Sequence, residues 1–357
     1  MKIVSVVGAR PQFVKLGPVS RAVRARGIEE FVLHTGQHYD ADMSQSFFAE
    51  FGLPAPDVNL GVGSASPARQ VGAMLPLVAD VLDRVRPDVT LVFGDTNSTL
   101  AGALASAYAG IPVAHVEAGM RSFDPAMPEE LSRVATDHLS RLLFTASPAA
   151  ERNLRNEGLT GSVFTGDVMY DVVLRARAQV ASPIGVLARH DVAPGAYVFA
   201  TVHRARNTDD PARLAALLDL LAGLGLPVVF PVHPRTRQRI ETAGLAARLG
   251  AGAFHATGPL SYGETLALAA HARRVFTDSG GLQKEAFYLG VPCTTLREET
   301  EWVETVELGW NVLVGTDAAK ARATLEIAAP PPPRELPYGD GTAGERIADA
   351  LAGSGMS

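Results

Sequence analysis

Two apolar runs in this sequence stop at a carboxylate, and a loop carries two more. "LVFGD" delivers Asp95, "VAHVE" delivers Glu117, and a Pro-punctuated loop then leads to "MPEELSR" with Glu129 beside Glu130. An acidic residue at the carboxyl end of a strand in a parallel sheet faces the ligand crevice. Two carboxylates in one crevice can divide acid and base work if burial and mutual repulsion keep one protonated near neutral pH; the same pattern also arises from solvated strand tips. In "VVGARPQFVKLGP" a strand ends at Gly8, Arg10 and Lys15 flank a short turn, and a helix follows. This places free backbone donors and two cations where a phosphate could sit, although the Walker order of glycines and lysine is missing. Thr96, Asn97, Ser98 and Thr99, after Asp95, read as helix-capping residues.

The second half has its own set. "ATVHRARN" puts His203 and Arg204 just after a strand, and "FPVHPRTR" puts His233, Arg235 and Arg237 after the next. "FTDSGGLQKEA" gives a strand, the turn Asp278-Ser279-Gly280-Gly281, and a helix from about Leu282. Glycines there let a ligand approach the backbone, and the helix amino end offers N–H groups to a diphosphate. Glu285, one turn inside, is placed to reach a ribose diol. The nine histidines show no pairing at metal-ligand spacing and Cys293 is the single cysteine, so no metal and no other cofactor is expected. "GVGSAS", near residue 61, is discounted because no strand precedes it.

Positioning these groups requires strands and helices in alternation, and the sequence writes that alternation twice. Short β-branched runs such as "KIVSVVG", "DVTLVFGD" and "PVAHVEAG", then "YVFATVHR", "PVVFPVHP" and "RRVFTDSGG", are separated by amphipathic stretches. The fold class is therefore α/β, with two doubly wound parallel sheets whose carboxyl ends face a cleft. We place the boundary near residues 168 to 174: a first domain over 1–170, a second over 171–339, and a closing helix at about 340–354 that packs back on the first. "APPPPREL" between them is extended, because consecutive prolines supply no amide donors.

Over 357 residues the net charge is −6, with 47% hydrophobic and 20% charged residues. That balance argues against nucleic acid or an anionic membrane as the main partner. No apolar run reaches the roughly 20 residues of a membrane span and no leader pattern opens the chain, so a cytoplasmic location is expected.

The motifs in their order, "GARPQFVK", "GDTNSTLAGAL", "HVEAGMRSFD", "MPEELSR", "TVHRARN", "HPRTR", "TDSGGLQKEA", "ETEWVE" and "YGDG", resemble the non-hydrolysing UDP-N-acetylglucosamine 2-epimerases, and they run from residue 8 to 341. The resemblance implies a glycosyltransferase-B fold, a UDP-sugar as substrate and a homodimer. It implies that Arg10 and Lys15 contact diphosphate and sugar, and that Asp95, Glu117 and Glu129 are the acid/base carboxylates. His203 would contact the leaving diphosphate or join the acid/base work, with Arg204 beside it. Ser279, Gly280 and Gly281 would cradle the diphosphate, and Glu285 would hold the ribose.

Departures from the pattern sharpen this. Arg206 stands where an acidic residue is frequent, Ser132 where Asn is usual, Lys284 where Glu is frequent, and Trp302 in place of an arginine. "HTGQHYD", "QKEAFYLGVPC" and "ETEWVE" look more like the branch that epimerises UDP-2,3-diacetamido-2,3-dideoxyglucuronic acid, a precursor of surface polysaccharide. Arg206 and Trp302 are candidates for the extra cation and apolar wall that such a sugar needs. Gln37-His38-Tyr39 departs from the stretch linked to activation by substrate, so such activation is not expected. A hydrolysing epimerase, a glycosyltransferase or a non-catalytic nucleotide-sugar binder remains open as an alternative.

Overall fold

The computed structural model describes residues 1–37, 55–180, 182–250, 253–333 and 336–355; His38 and Tyr39 lie outside them. The chain divides into two compact units, Met1–Val172 with Leu336–Ser357, and Val173–Glu335.

In the first unit a seven-stranded sheet contains β1 (Lys2–Val7), β2 (Glu29–His34), β3 (Val58–Asn59), β4 (Val89–Phe93), β5 (Val113–Ala118), β6 (Leu142–Thr145) and β7 (Val163–Phe164). The order is β3-β2-β1-β4-β5-β6-β7, and every pairing is parallel. β1 and β4 are apolar almost throughout and buried on both faces, as parallel strands covered by crossover helices must be. The covering helices are α1 (Arg10–Ala25), α2 (Pro67–Val85), α3 (Asn97–Tyr108), α4 (Pro128–Leu139), α5 (Pro148–Asn156) and α6 (Val168–Gln179). The division between the units falls inside α6.

The second unit repeats the plan. Its strands are β8 (Val198–Thr201), β9 (Val228–Pro231), β10 (Phe254–Thr257), β11 (Arg274–Thr277), β12 (Cys293–Thr295) and β13 (Asn311–Leu313), in the order β10-β9-β8-β11-β12-β13 and again all parallel. Its helices are α7 (Pro183–Arg189), α8 (Ala205–Thr208), α9 (Pro211–Ala222), α10 (Pro234–Thr242), α11 (Ala246–Leu249), α12 (Tyr262–His271), α13 (Gly280–Tyr288), α14 (Val303–Glu307) and α15 (Ala318–Ala323). Each sheet therefore reverses its winding once, between β1 and β4 and between β8 and β11. At such a point neighbouring connections leave in opposite directions and open a crevice beyond the strand ends.

The closing helix α16 (Ala343–Gly353) belongs to the first unit. Ala343, Ile347, Ala348 and Leu351 form one buried face, packed into the same core as Phe13, Leu16, Val19 and Val23 of α1. Burying each of the larger side chains contributes roughly 1.5–3 kcal/mol. A Cβ on Gly344 would lie 2.9 Å from the backbone of Pro18, so glycine is what lets α16 approach α1 so closely. Asp171 pins the start of α16, accepting the amides of Ala343 (3.0 Å) and Gly344 (2.8 Å). Burial pushes the Asp171 carboxyl up to about 6, against the opposing pull of those two amides.

Candidate active site

At the winding reversal of the first unit, the ends of β1, β4 and β5 meet the start of α1. Helix α1 begins at Arg10 itself, so Arg10 and Lys15 lie within its first turns and do not flank a turn. The amides expected to be free there are occupied. The buried Gln12 side chain accepts Gly8 N (2.8 Å) and Ala9 N (3.1 Å) through Oε1, while its Nε2 donates to the Phe93 carbonyl (3.0 Å) and Thr99 Oγ1 (3.1 Å). The end of β1 is thus a sealed joint. What it presents is the exposed Arg10 and Lys15, whose Nζ pairs with Glu117 Oε2. Burial lowers the Lys15 pKa, but the charge and hydrogen bond of Glu117, with Asp95 and Asp167 further off, outweigh it and hold the ammonium above its ordinary value.

Asp95 follows the tip of β4, and its Oδ2 accepts Arg133 Nε (3.0 Å) and Nη2 (2.7 Å) from α4. Arg133 Nη1 also donates to Glu130 (2.8 Å). Glu130 is buried and ties down the preceding loop, accepting Ser122 N and Phe123 N, both at 2.9 Å. Burial raises its pKa, but these amides and Arg133 overcome that and hold it below the usual carboxylate range. The neighbouring acids at the start of α4 therefore differ: Glu130 organises the loop and Glu129 stands exposed. The expected helix cap after Asp95 is present, with Thr96 Oγ1 accepting Thr99 N at 3.3 Å.

Beneath this set lies a buried chain of charges. His115 Nδ1 is 2.7 Å from Asp137 Oδ1, and its Nε2 is 2.8 Å from the Gly94 carbonyl. Asp137 Oδ2 accepts Gly119 N (3.0 Å) and Arg121 Nη1 (2.7 Å), and Arg121 continues to Glu157 in two bonds at 2.6 and 2.7 Å. Burial pushes Asp137 up, yet its contacts with His115 and the Arg121 guanidinium bring it below its ordinary value.

At the reversal of the second unit, β8 and β11 are fastened by Asp278, which is fully buried. Its carboxylate accepts His203 N (3.0 Å to each oxygen), Arg204 N (2.9 Å) and Asn207 Nδ2 (3.0 Å), with His203 Nδ1 at 3.4 Å. Burial, opposed by Asp278 and assisted by His233 and Arg204, holds the His203 pKa below 6.5. His203 is thus neutral at pH 7, with Nδ1 turned to Asp278. Ser279 caps α13 by accepting Leu282 N at 3.4 Å, and the first-turn amides of Gly280 and Gly281 have no acceptor within the helix.

The two glycines differ in purpose. A Cβ on Gly281 would meet nothing nearer than 3.8 Å, whereas one on Gly280 would lie 2.3 Å from Glu301 Oε1 and 3.3 Å from Trp302 Nε1. Gly280 therefore admits Glu301, which in turn lies 3.7 Å from Arg204 and 3.0 Å from Arg297. Glu285 is buried and accepts Tyr262 OH at 2.9 Å.

Sequence reading did not single out Gln12, His115, Arg133 or Asp137. The polar residues Glu130, Arg133 and Asp137, three and four apart on α4, were the available signal, as was a histidine inside the apolar run "IPVAHV". Two further expectations change. "GVGSAS" does follow a strand, the two-residue β3. Trp302 is buried, with the Lys284 ammonium 3.8 Å over its ring, and Arg206 reaches Glu298 at 3.3 Å, so neither offers a bare wall or an uncommitted cation.

Comparison with known proteins gives this arrangement a family. The model of the UDP-N-acetylglucosamine 2-epimerase family matches residues 21–352. A UDP-N-acetylglucosamine 2-epimerase homolog of Methanococcus maripaludis is 45% identical over 355 residues, covering 98% of this chain and 99% of its own. The UDP-2,3-diacetamido-2,3-dideoxy-D-glucuronate 2-epimerase of Pseudomonas aeruginosa is 44% identical over 362 residues, covering 99% of each. Among solved structures, the Methanocaldococcus jannaschii UDP-GlcNAc 2-epimerase in complex with UDP-GlcNAc and UDP has a TM-score of 0.86 at 39% identity, covering 99% of each chain. The paired Rossmann-like units are those of a glycosyltransferase-B fold, and the chain belongs to the UDP-N-acetylglucosamine 2-epimerase family.

Proposed function

We propose that this enzyme interconverts the C2 epimers of a UDP-2-acetamido sugar without net hydrolysis, the first unit moving the C2 proton and the second holding UDP. The observation that carries the reading is the clustering of Glu117, Lys15, Asp95 and Arg133 at one winding reversal. The C2 hydrogen of such a sugar is not next to a carbonyl, so simple deprotonation would leave a poorly stabilised carbanion. Loss of UDP in the same step avoids it. A carboxylate takes the C2 proton, the C–H electron pair becomes the C1–C2 double bond, and the C1–O bond breaks to release UDP. Protonation of C2 from the opposite face and attack of the UDP oxygen on C1 complete the exchange. Two faces require two proton-transfer groups, for which Asp95, Glu117 and the exposed Glu129 are our candidates.

Lys15 stays cationic throughout the neutral range and gives Glu117 a fixed counter-charge. In the second unit, the first-turn amides of α13 and Arg204 suit the charge that develops on departing UDP, and His203, neutral at pH 7, is kept as a candidate for acid/base work. Arg10 is assigned to the diphosphate and Glu285 to the ribose. No cofactor enters the scheme. Both UDP-GlcNAc and UDP-2,3-diacetamido-2,3-dideoxyglucuronate belong to the class, and the relatives include enzymes named for each. No helix among the described residues is long and apolar enough to cross a membrane; a cytoplasmic location and a homodimer are our assignment.

Incubation with each sugar in deuterated water, followed by NMR at C2, tests the reading. Deuterium at C2 of an intact UDP-sugar, in both epimers, is the expected result. Stoichiometric free UDP would instead identify a hydrolysing enzyme, and the sugar that exchanges faster identifies the substrate.

A further inference from the structure

Glu117 has a φ of +72°, a left-handed conformation that a residue with a side chain keeps only where its surroundings over-determine it. The sheet register also slips at this residue: β5 pairs with β6 at Val116↔Phe144 and resumes at Ala118↔Thr145. One carboxylate holds both sides of the bend. Asp137 takes the side chain of His115, two residues before Glu117, and the amide of Gly119, two residues after it. The other ring nitrogen of His115 meets the carbonyl of Gly94, the residue before Asp95.

Both partners of the His115 ring are acceptors. A carbonyl has no proton to give, and a carboxylate that also accepts from the Gly119 amide and the Arg121 guanidinium is ionised. Both ring nitrogens must therefore donate. The resulting buried cation is part of an alternating series, His115, Asp137, Arg121, Glu157, in which each charge has an opposite neighbour.

We infer that His115 is a positioning residue, a buried ring donating through both nitrogens, that ties the Gly94–Asp95 end of β4 to the Glu117 bend of β5 and so sets the spacing of the two carboxylates. Its kinetic consequence rests on the proposed C2 proton transfer; its protonation state does not. The first readout is therefore NMR of the full-length enzyme labelled with 15N-histidine, with His115 assigned by its loss in His115→Gln. Protons on both ring nitrogens at pH 7.5 are expected, and a ring with one bare nitrogen at that pH overturns the inference.

The second readout is kinetic. His115→Gln, and His115→Asn in case the first does not fold, should lower the kcat for C2 exchange about 100-fold, the loss typical of a misplaced reacting group. KM and the Kd for UDP should stay within about twofold, and the shape of the pH profile should be unchanged. A folded variant with a near wild-type rate, or one whose pH profile loses a limb, overturns the positioning role. Absence of C2 exchange in the wild-type enzyme would sink the proposed function, while the NMR result would still decide the state of His115.

Discussion

The two winding reversals occupy the same place in the same topology, yet they are built from opposite materials. In the first unit charged side chains fix other charged side chains: Lys15 holds Glu117, Arg133 holds Asp95 and Glu130, and Asp137 gathers His115 and Arg121. In the second a single buried carboxylate, Asp278, fixes backbone, gripping the amides of His203 and Arg204. The glycine start of α13 lies directly after it. Moving a proton requires side chains at set distances, whereas cradling an anion requires backbone donors that do not shift. On the proposed division of labour, similar sheets serve different chemistry through what their buried charges are tied to.

The largest effect should come from breaking the first arrangement. Glu117→Gln keeps the shape of the side chain and removes its proton-accepting charge; C2 exchange should fall by about a thousandfold, within the range of a lost acid/base group. Breaking the second should instead appear as instability. Asp278→Ala leaves the amides of His203 and Arg204 without their acceptor, at a cost of about 2–4 kcal/mol, visible in denaturant unfolding.

A pH test separates a charge that burial disfavours from those held by partners. The Asp171 carboxyl, raised from 3.8 to about 6, favours the fold only while protonated. That stabilisation is complete below pH 3.8 and is lost as pH rises through 6. Asp171→Asn cannot ionise, so its stability relative to wild type should improve by up to about 3 kcal/mol between pH 4 and pH 7. A constant difference over that interval would refute the assignment. The smallest effect is expected from Arg204→Ala, which removes one cation beside Glu301; kcat for C2 exchange should fall about tenfold, as for loss of a charge-assisted contact to departing UDP.

Much of the fold could be read from sequence because strand and helix periodicities alternate without interruption through both sheets. Asp95 and Glu117 were legible for a related reason, each ending an apolar run that can only be a buried strand. The supports were not. Gln12 has the composition of a surface residue, and nothing local shows that it fills the amides after β1. Glu130, Arg133 and Asp137 look like the solvated side of an amphipathic helix until the strand tips are seen packed against that side. The sequence "MPEE" also cannot say which glutamate turns inward. That depends on the amides of Ser122 and Phe123, which capture Glu130 and leave Glu129 outside.

The most direct test of a first unit for proton transfer and a second for UDP is one variant measured two ways. Glu117→Gln should bind UDP, by calorimetry, within about twofold of wild type, while C2 deuterium incorporation into the UDP-sugar drops to background. Loss of UDP binding in step with exchange, or undiminished exchange, would contradict the division of labour.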